Sequence, residues 1–161
     1  MNFPRPTVFK FPPQRVGPLS LLILFFLIAI AGAPDAEAAQ RLSVSVPVAN
    51  IRSGPGPKYD IIWNVEQNHP VIILKKSGQW YKFKDFEKDV GWIHQSLLKD
   101  FPAVITVNAK CNVRSGPSTK KPIVFTVERG IPFEVLKRTG DWIHIRHSDG
   151  DKGWIHKSLV W

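Results

Sequence analysis

The sequence predicts an all-β protein of two small tandem barrels behind an N-terminal export segment. Three observations carry that prediction. The phrase Asn50-Ile51-Arg52-Ser53-Gly54-Pro55 returns as Asn112-Val113-Arg114-Ser115-Gly116-Pro117, an offset of 62 residues. The hydrophobic period inside each copy is two rather than 3.6. The composition before the repeats differs from everything after them.

The export segment comes first. Arg5, Lys10 and Arg15 precede an apolar run from Leu19 to Ala31, and Ala36-Glu37-Ala38 supplies a small-x-small site. A basic start, a short apolar core and small residues at the end describe a secretory signal peptide. Residues 1–38 are therefore expected to be removed, leaving Ala39 as the first mature residue. The run is short of the about 20 apolar residues a membrane helix needs, so an uncleaved anchor is the lesser alternative and no stable membrane span is expected after cleavage. No Cys lies near the site to suggest a lipoprotein. The expected destination is the periplasm or the cell exterior.

The duplication needs no gap. The same offset takes Gly78 to Gly140, Trp80 to Trp142, Gly91-Trp92-Ile93-His94 to Gly153-Trp154-Ile155-His156, and Ser96-Leu97 to Ser158-Leu159. A repeat of this kind marks two copies of one structural unit. In "WYKFK" Tyr81 and Phe83 alternate with Lys82 and Lys84; in "WIHIR" Ile143 and Ile145 alternate with His144 and Arg146. Such alternation describes half-buried strands. "VIILKK" and "FEVLKR" read as further strands ending at Ser77-Gly78 and Thr139-Gly140, and the Gly-Pro clusters after Ser53 and Ser115 read as loops. The expected units are 42–99 and 104–161, joined around Lys99–Ala103, with short strands closing on themselves to remove exposed edges.

Charge and cysteine usage bound the function loosely. The chain has 22 Lys+Arg against 13 Asp+Glu, a formal net charge of +9. That balance favours anionic partners; outside the cytoplasm these are wall polymers or lipid head groups rather than nucleic acid. Solubility is the plainer reading. Cys111 is alone, so it forms no intrachain disulfide. It stands where the first repeat has Ala49, a small apolar slot suited to a buried thiol.

Asn-[Ile/Val]-Arg-Ser-Gly-Pro near the start of each unit and Gly-Trp-Ile-His-x-Ser-Leu at its end resemble the bacterial SH3-like (SH3b) domain, once per repeat. "GWIHQSLL" looks like the subgroup found as small exported proteins of Gram-negative bacteria. The resemblance implies barrels of five to six strands that bind cell-wall peptides or other extracytoplasmic partners. Many members target wall hydrolases, but here the two repeats fill the sequence after the export segment, so no catalytic domain is expected.

Candidate ligand-binding residues follow from strand phase. With Tyr81, Phe83 and Ile93 inward, Trp80, Trp92, Trp142 and Trp154 face outward, and His94 and His156 share the Trp92 and Trp154 faces. An exposed Trp can stack on a peptide or sugar while its indole donates a hydrogen bond; equally, these rings can close the barrel ends or seal an interface. Arg52 and Arg114 suit a ligand carboxylate, with bonding to a loop carbonyl or acid as the structural alternative. Tyr59 and Trp63 add aromatic surface to the first unit, where the second has Lys121 and Phe125. No cluster of metal ligands is apparent and no cofactor is expected. Ser96–Lys99 and Ser118–Lys121 fit S-x-x-K, and Lys76-Ser77-Gly78 imitates K-T-G, but two small barrels lack the context that motif needs. The expected function is non-enzymatic binding of a wall peptide or glycan, or of an envelope protein. The alternative is an assembly protein whose aromatic surfaces seal a barrel–barrel or homodimer interface; the sequence leaves the oligomeric state open.

Overall fold

The computed structural model describes residues 39–161. The expected export segment and its cleavage after Ala38 lie outside the described residues. The first repeat forms β1 (Arg41–Val44), β2 (Val48–Arg52), β3 (Ile61–Glu66), β4 (Pro70–Ser77), β5 (Trp80–Lys84), β6 (Val90–His94) and β7 (Leu98–Lys99). The second forms β8 (Ala103–Ile105), β9 (Cys111–Arg114), β10 (Ile123–Val127), β11 (Pro132–Thr139), β12 (Trp142–Arg146) and β13 (Lys152–His156). Two antiparallel sheets result, ordered β3-β2-β6-β5-β4-β1-β7 and β10-β9-β13-β12-β11-β8. Among the described residues no helix is long and apolar enough to cross a membrane.

Strand phase follows the period of two. Phe83 and Ile93 are fully buried in the first unit, as are Ile145 and Ile155 in the second. The two cores exchange a large and a small residue: Val71 with Phe83 in one becomes Phe133 with Ile145 in the other, all buried. An exchange of this kind conserves volume, which is what a packed core tolerates best. Tyr81 is half-buried, packed against the core, with Lys76 Nζ 5.7 Å from its ring. Cys111 is buried, and burial pushes its thiol above the usual range, so it stays protonated as a core residue.

Turns fix the register. Ser77 pairs with Trp80 and Thr139 with Trp142, leaving two-residue loops that begin at Gly78 and Gly140. Their φ values of 57° and 54° give the II′ pattern, in which the first loop residue needs a positive φ. Each unit also carries bulges invisible to simple alternation. The ladders shift between Ile73 and Lys75 and between Val135 and Lys137, at Leu74 and Leu136. A second matched pair of shifts falls at Ile62 and Val124.

The barrels meet through reciprocal contacts. Arg41 of β1 lays its guanidinium 3.9 Å from the Trp161 ring centroid and donates to the Trp161 carbonyl at 3.0 Å. From the other side Arg129 sits 5.2 Å over Phe86, pairs with Glu87 at 3.1 Å and donates to the Val107 carbonyl. Ser43 Oγ donates to the Phe101 carbonyl at 2.9 Å. Cation–π contacts of this type contribute about 0.5–1 kcal/mol each when partly exposed.

Candidate functional site

The repeated motif places one cross-strand row on the outer face of each barrel. In the first, ladder partners run Ile61–Arg52–Trp92–Lys82–Lys75 across β3, β2, β6, β5 and β4. In the second they run Ile123–Arg114–Trp154–His144–Lys137 across β10, β9, β13, β12 and β11. Opposed residues on neighbouring strands share a face, so each row sets one Trp among cations beside an exposed aliphatic residue. Ile61 and Ile123 are 49% and 48% exposed. In the second row His144 stacks on Trp154, centroids 4.9 Å apart and planes 15° from parallel.

Each position of Gly-Trp-Ile-His has a separate physical task. Gly91 and Gly153 let the neighbouring strand approach, because an added Cβ would lie 2.3 Å from Ile51 Cγ2 or 2.4 Å from Val113 Cγ1. The Trp faces out, half-buried, and the Ile fills the core. The His caps a single 3₁₀ turn, accepting from the Ser96 or Ser158 amide at its Nδ1. It also meets a Trp edge-on: Trp80–His94 and Trp142–His156 each have centroids 5.3 Å apart at 80°. Ser96 Oγ bonds to His94 Nδ1 at 2.7 Å, an i, i+2 contact within that cap.

Arg52 and Arg114 bond to loop carbonyls. Arg52 Nη1 donates to Tyr59 O at 2.7 Å and Pro57 O at 3.1 Å, and Arg114 Nη1 donates to Lys121 O at 2.8 Å. They hold the Gly-Pro loops while staying half-exposed beside the Trp. Tyr59 lies flat on Gly54, where an added Cβ would sit 2.3 Å from its ring; Lys121 covers Gly116 in the same way with its aliphatic stem. Trp63 packs edge-on to Phe83 at 6.4 Å. The structure thus gathers Arg52 with Trp92, and Arg114 with Trp154, in the two rows. The Trp80–His94 and Trp142–His156 pairs adjoin them, while Tyr59 and Trp63 support loop and core. Ile61, Lys75, Lys82, Ile123, Lys137 and His144 also belong to the rows. Strand periodicity marks Lys82 and His144 as outward, but their partners depend on register and on the bulges.

His69 is an ionisable group buried outside the rows. It is 8% exposed, and burial pulls its imidazole down to about 4, against a smaller opposing pull from Glu87. The unfolded ring takes a proton near its ordinary pKa of about 6.5, before the folded ring does. Stability is therefore complete above that value and falls as pH drops toward 4, by about 3 kcal/mol over the window. Burial raises Asp85, whose contribution runs the opposite way in the carboxylate range. Melting curves at pH 7 and 4.5 should show the loss, and His69→Gln should flatten it; an unchanged slope in that variant would contradict the assignment.

Comparison with known proteins agrees with this architecture. The profile of the family described as "Bacterial SH3 domain" matches residues 45–100 and 107–161. "Putative N-acetylmuramoyl-L-alanine amidase YrvJ" of Bacillus subtilis is 27% identical over 122 residues, 69% of this chain and 23% of that protein. "Probable cell wall amidase LytH" of Staphylococcus epidermidis is 33% identical over 52 residues, 32% of this chain and 18% of that protein. The chain thus spans under a quarter of either relative. Among solved structures, "Endolysin LysPBC5 CBD" aligns over 80% of this chain and 96% of its own at 15% identity and a TM-score of 0.31. An NlpC/P60 family protein from Bacillus cereus aligns over 76% and 56% at 13% identity and 0.35. With that profile matched twice over most of the described residues, the chain belongs to the bacterial SH3 domain family.

Proposed function

We propose that this protein is a non-enzymatic extracytoplasmic binding module whose tandem units, 42–99 and 104–161, recognise cell-wall peptide or glycan. The observation that carries the reading is the duplicated row. Both barrels hold an outward Trp in a row with cations, Arg52, Lys82 and Lys75 in the first and Arg114 and Lys137 in the second, at the same register and beside the same kind of exposed aliphatic residue. A Trp face stacks on sugar or peptide, and flanking cations hold carboxylates. The names of two relatives refer to amidases, one of them to the cell wall, which supports a wall ligand and a periplasmic or secreted location. In this reading Arg52, Trp92, Arg114 and Trp154 make the central contacts, while Trp80, His94, Trp142 and His156 extend the surface. Tyr59 and Trp63 shape its margin.

The assembly reading draws on the reciprocal clamps, yet the barrel–barrel seam is closed by Arg41, Trp161, Phe86 and Arg129. Trp80, Trp92, Trp142 and Trp154 do not line the seam clefts. Sedimentation with purified peptidoglycan tests the proposal. The protein should co-sediment, and Trp92→Ala with Trp154→Ala should abolish retention without lowering the melting temperature by more than a few degrees. The cations predict partial release as salt shortens the Debye length to about 8 Å. Full retention by the double variant would sink the reading.

A further inference from the structure

The two rows are the same at every position but one. Ile61, Arg52, Trp92 and Lys75 of the first return as Ile123, Arg114, Trp154 and Lys137 of the second. The exception is Lys82, which pairs with Trp92 where His144 pairs with Trp154. That exchange changes what lies on the indole. His144 stacks on Trp154, centroids 4.9 Å apart and planes 15° from parallel. Among the described residues no aromatic ring and no cation is stacked on Trp92.

The outward face around His144 is basic. Its ladder partner on β11 is Lys137, and Arg114 of β9 follows Trp154 in the row. On the same face β11 adds Glu134, β13 adds Lys152 and His156, and β12 itself adds Arg146. Glu134 is the one carboxylate of that set, and Arg146 holds it through bonds of 3.0 and 2.6 Å to Oε2. No acid of the set is left to balance a charge on His144; an anionic ligand would balance it. His156 does not distinguish the rows, because His94 makes the same Trp and Ser contacts in the first unit.

A lysine keeps its charge across about pH 5 to 8, the range in which a histidine side chain gains or loses one. A protonated imidazole over an indole face is also a cation–π contact. We propose that His144 makes the second row an acid-strengthened site for a carboxylate-bearing ligand, while Lys82 gives the first row a constant charge. The proposal rests on the rows being the ligand surface. With the imidazole neutral, Arg114 and Lys137 hold the carboxylate and the ring supports Trp154. Protonation adds a third charged donor beside them, and charged donors make the stronger hydrogen bonds. A ligand carboxylate stays ionised down to about pH 5.5, so affinity at the second row rises as pH falls to that point.

Two measurements test it, each at about pH 7.5 and about pH 5.5. In the free protein the Trp154 indole Nε1–H signal should move between the two conditions by clearly more than that of Trp92. His144→Lys should remove the excess. On purified peptidoglycan, Trp92→Ala leaves the second row to bind and Trp154→Ala leaves the first. The affinity of the Trp92→Ala protein should rise by about fivefold on acidification, the gap between a neutral and a charged hydrogen bond. That of the Trp154→Ala protein should change little. Adding His144→Lys to Trp92→Ala should hold the affinity at the higher level in both conditions. Equal pH dependence of the two single variants, a rise that survives His144→Lys, or a Trp154 indole that ignores pH would overturn the proposal. Full retention of the protein carrying both Trp92→Ala and Trp154→Ala would refute the row reading itself. Lost retention in that protein, with equal pH slopes in the single variants, would refute only the role of His144.

Discussion

Ile93→Ala is expected to destabilise the first barrel by about 2–5 kcal/mol, as truncation of a buried aliphatic residue does. Ile93 is fully buried and packs in one core with Leu42, Ile51, Val71 and Phe83. The outward side chains on either side of it, Trp92 and His94, cannot collapse into the space, because β6 is held between β2 and β5. Domains carry roughly 0.05–0.15 kcal/mol of stability per residue, so one such loss takes much of what a unit of this size has. Ile155→Ala should do the same to the second barrel, where Ile155 meets Val113, Phe133 and Ile145 in the equivalent core. Thermal melts should fall by about 10 °C or more for each. A melt unchanged by Ile93→Ala would mean that the β6 phase is reversed and that Trp92 points inward.

The second large effect comes from adding a methyl group. Gly153→Ala places a Cβ 2.4 Å from Val113 Cγ1, 3.0 Å from the Arg114 carbonyl oxygen and 3.2 Å from Val124 Cγ2. Val113 is fully buried and the carbonyl is backbone, so neither can give way without moving β9. Overpacking of this kind costs about 1–3 kcal/mol and occasionally more. Gly91→Ala meets side chains only, Ile51 and Trp63, and should cost less. Combining Gly153→Ala with Val113→Ala should recover part of the loss, since contacting residues couple in a double-mutant cycle. Additive losses in that cycle would show that the glycine serves some other purpose. Because β9 carries Arg114 beside Trp154, the same shift should also open the second row.

What the sequence makes legible is the part governed by local pattern. Alternation in "WYKFK" and "WIHIR" places Phe83, Ile143 and Ile145 inward, and the glycines before Gln79 and Asp141 sit at the hairpin turns they imply. The outward Trp of Gly-Trp-Ile-His follows from the same alternation. Row composition is not local. Lys75 reaches the row only because a bulge at Leu74 shifts the ladder by one residue; without it the opposite side chains would face outward. Tyr59 reads as free aromatic surface until the loop folds back and lays it on Gly54. Arg52 reads as a free guanidinium until that same loop presents the Pro57 and Tyr59 carbonyls.

The central claim is that the two tryptophan rows are the ligand surface. The indole Nε1–H groups of Trp92 and Trp154 report on it directly, assigned by comparison with Trp92→Ala and Trp154→Ala. On titration with a soluble fragment released from peptidoglycan, both signals should shift and saturate together with the Arg52 and Arg114 amides, while the Trp63 and Trp161 indoles stay in place. Shifts at Trp63 and Trp161 with Trp92 and Trp154 unmoved would contradict the account, as would no shift at any indole up to millimolar fragment.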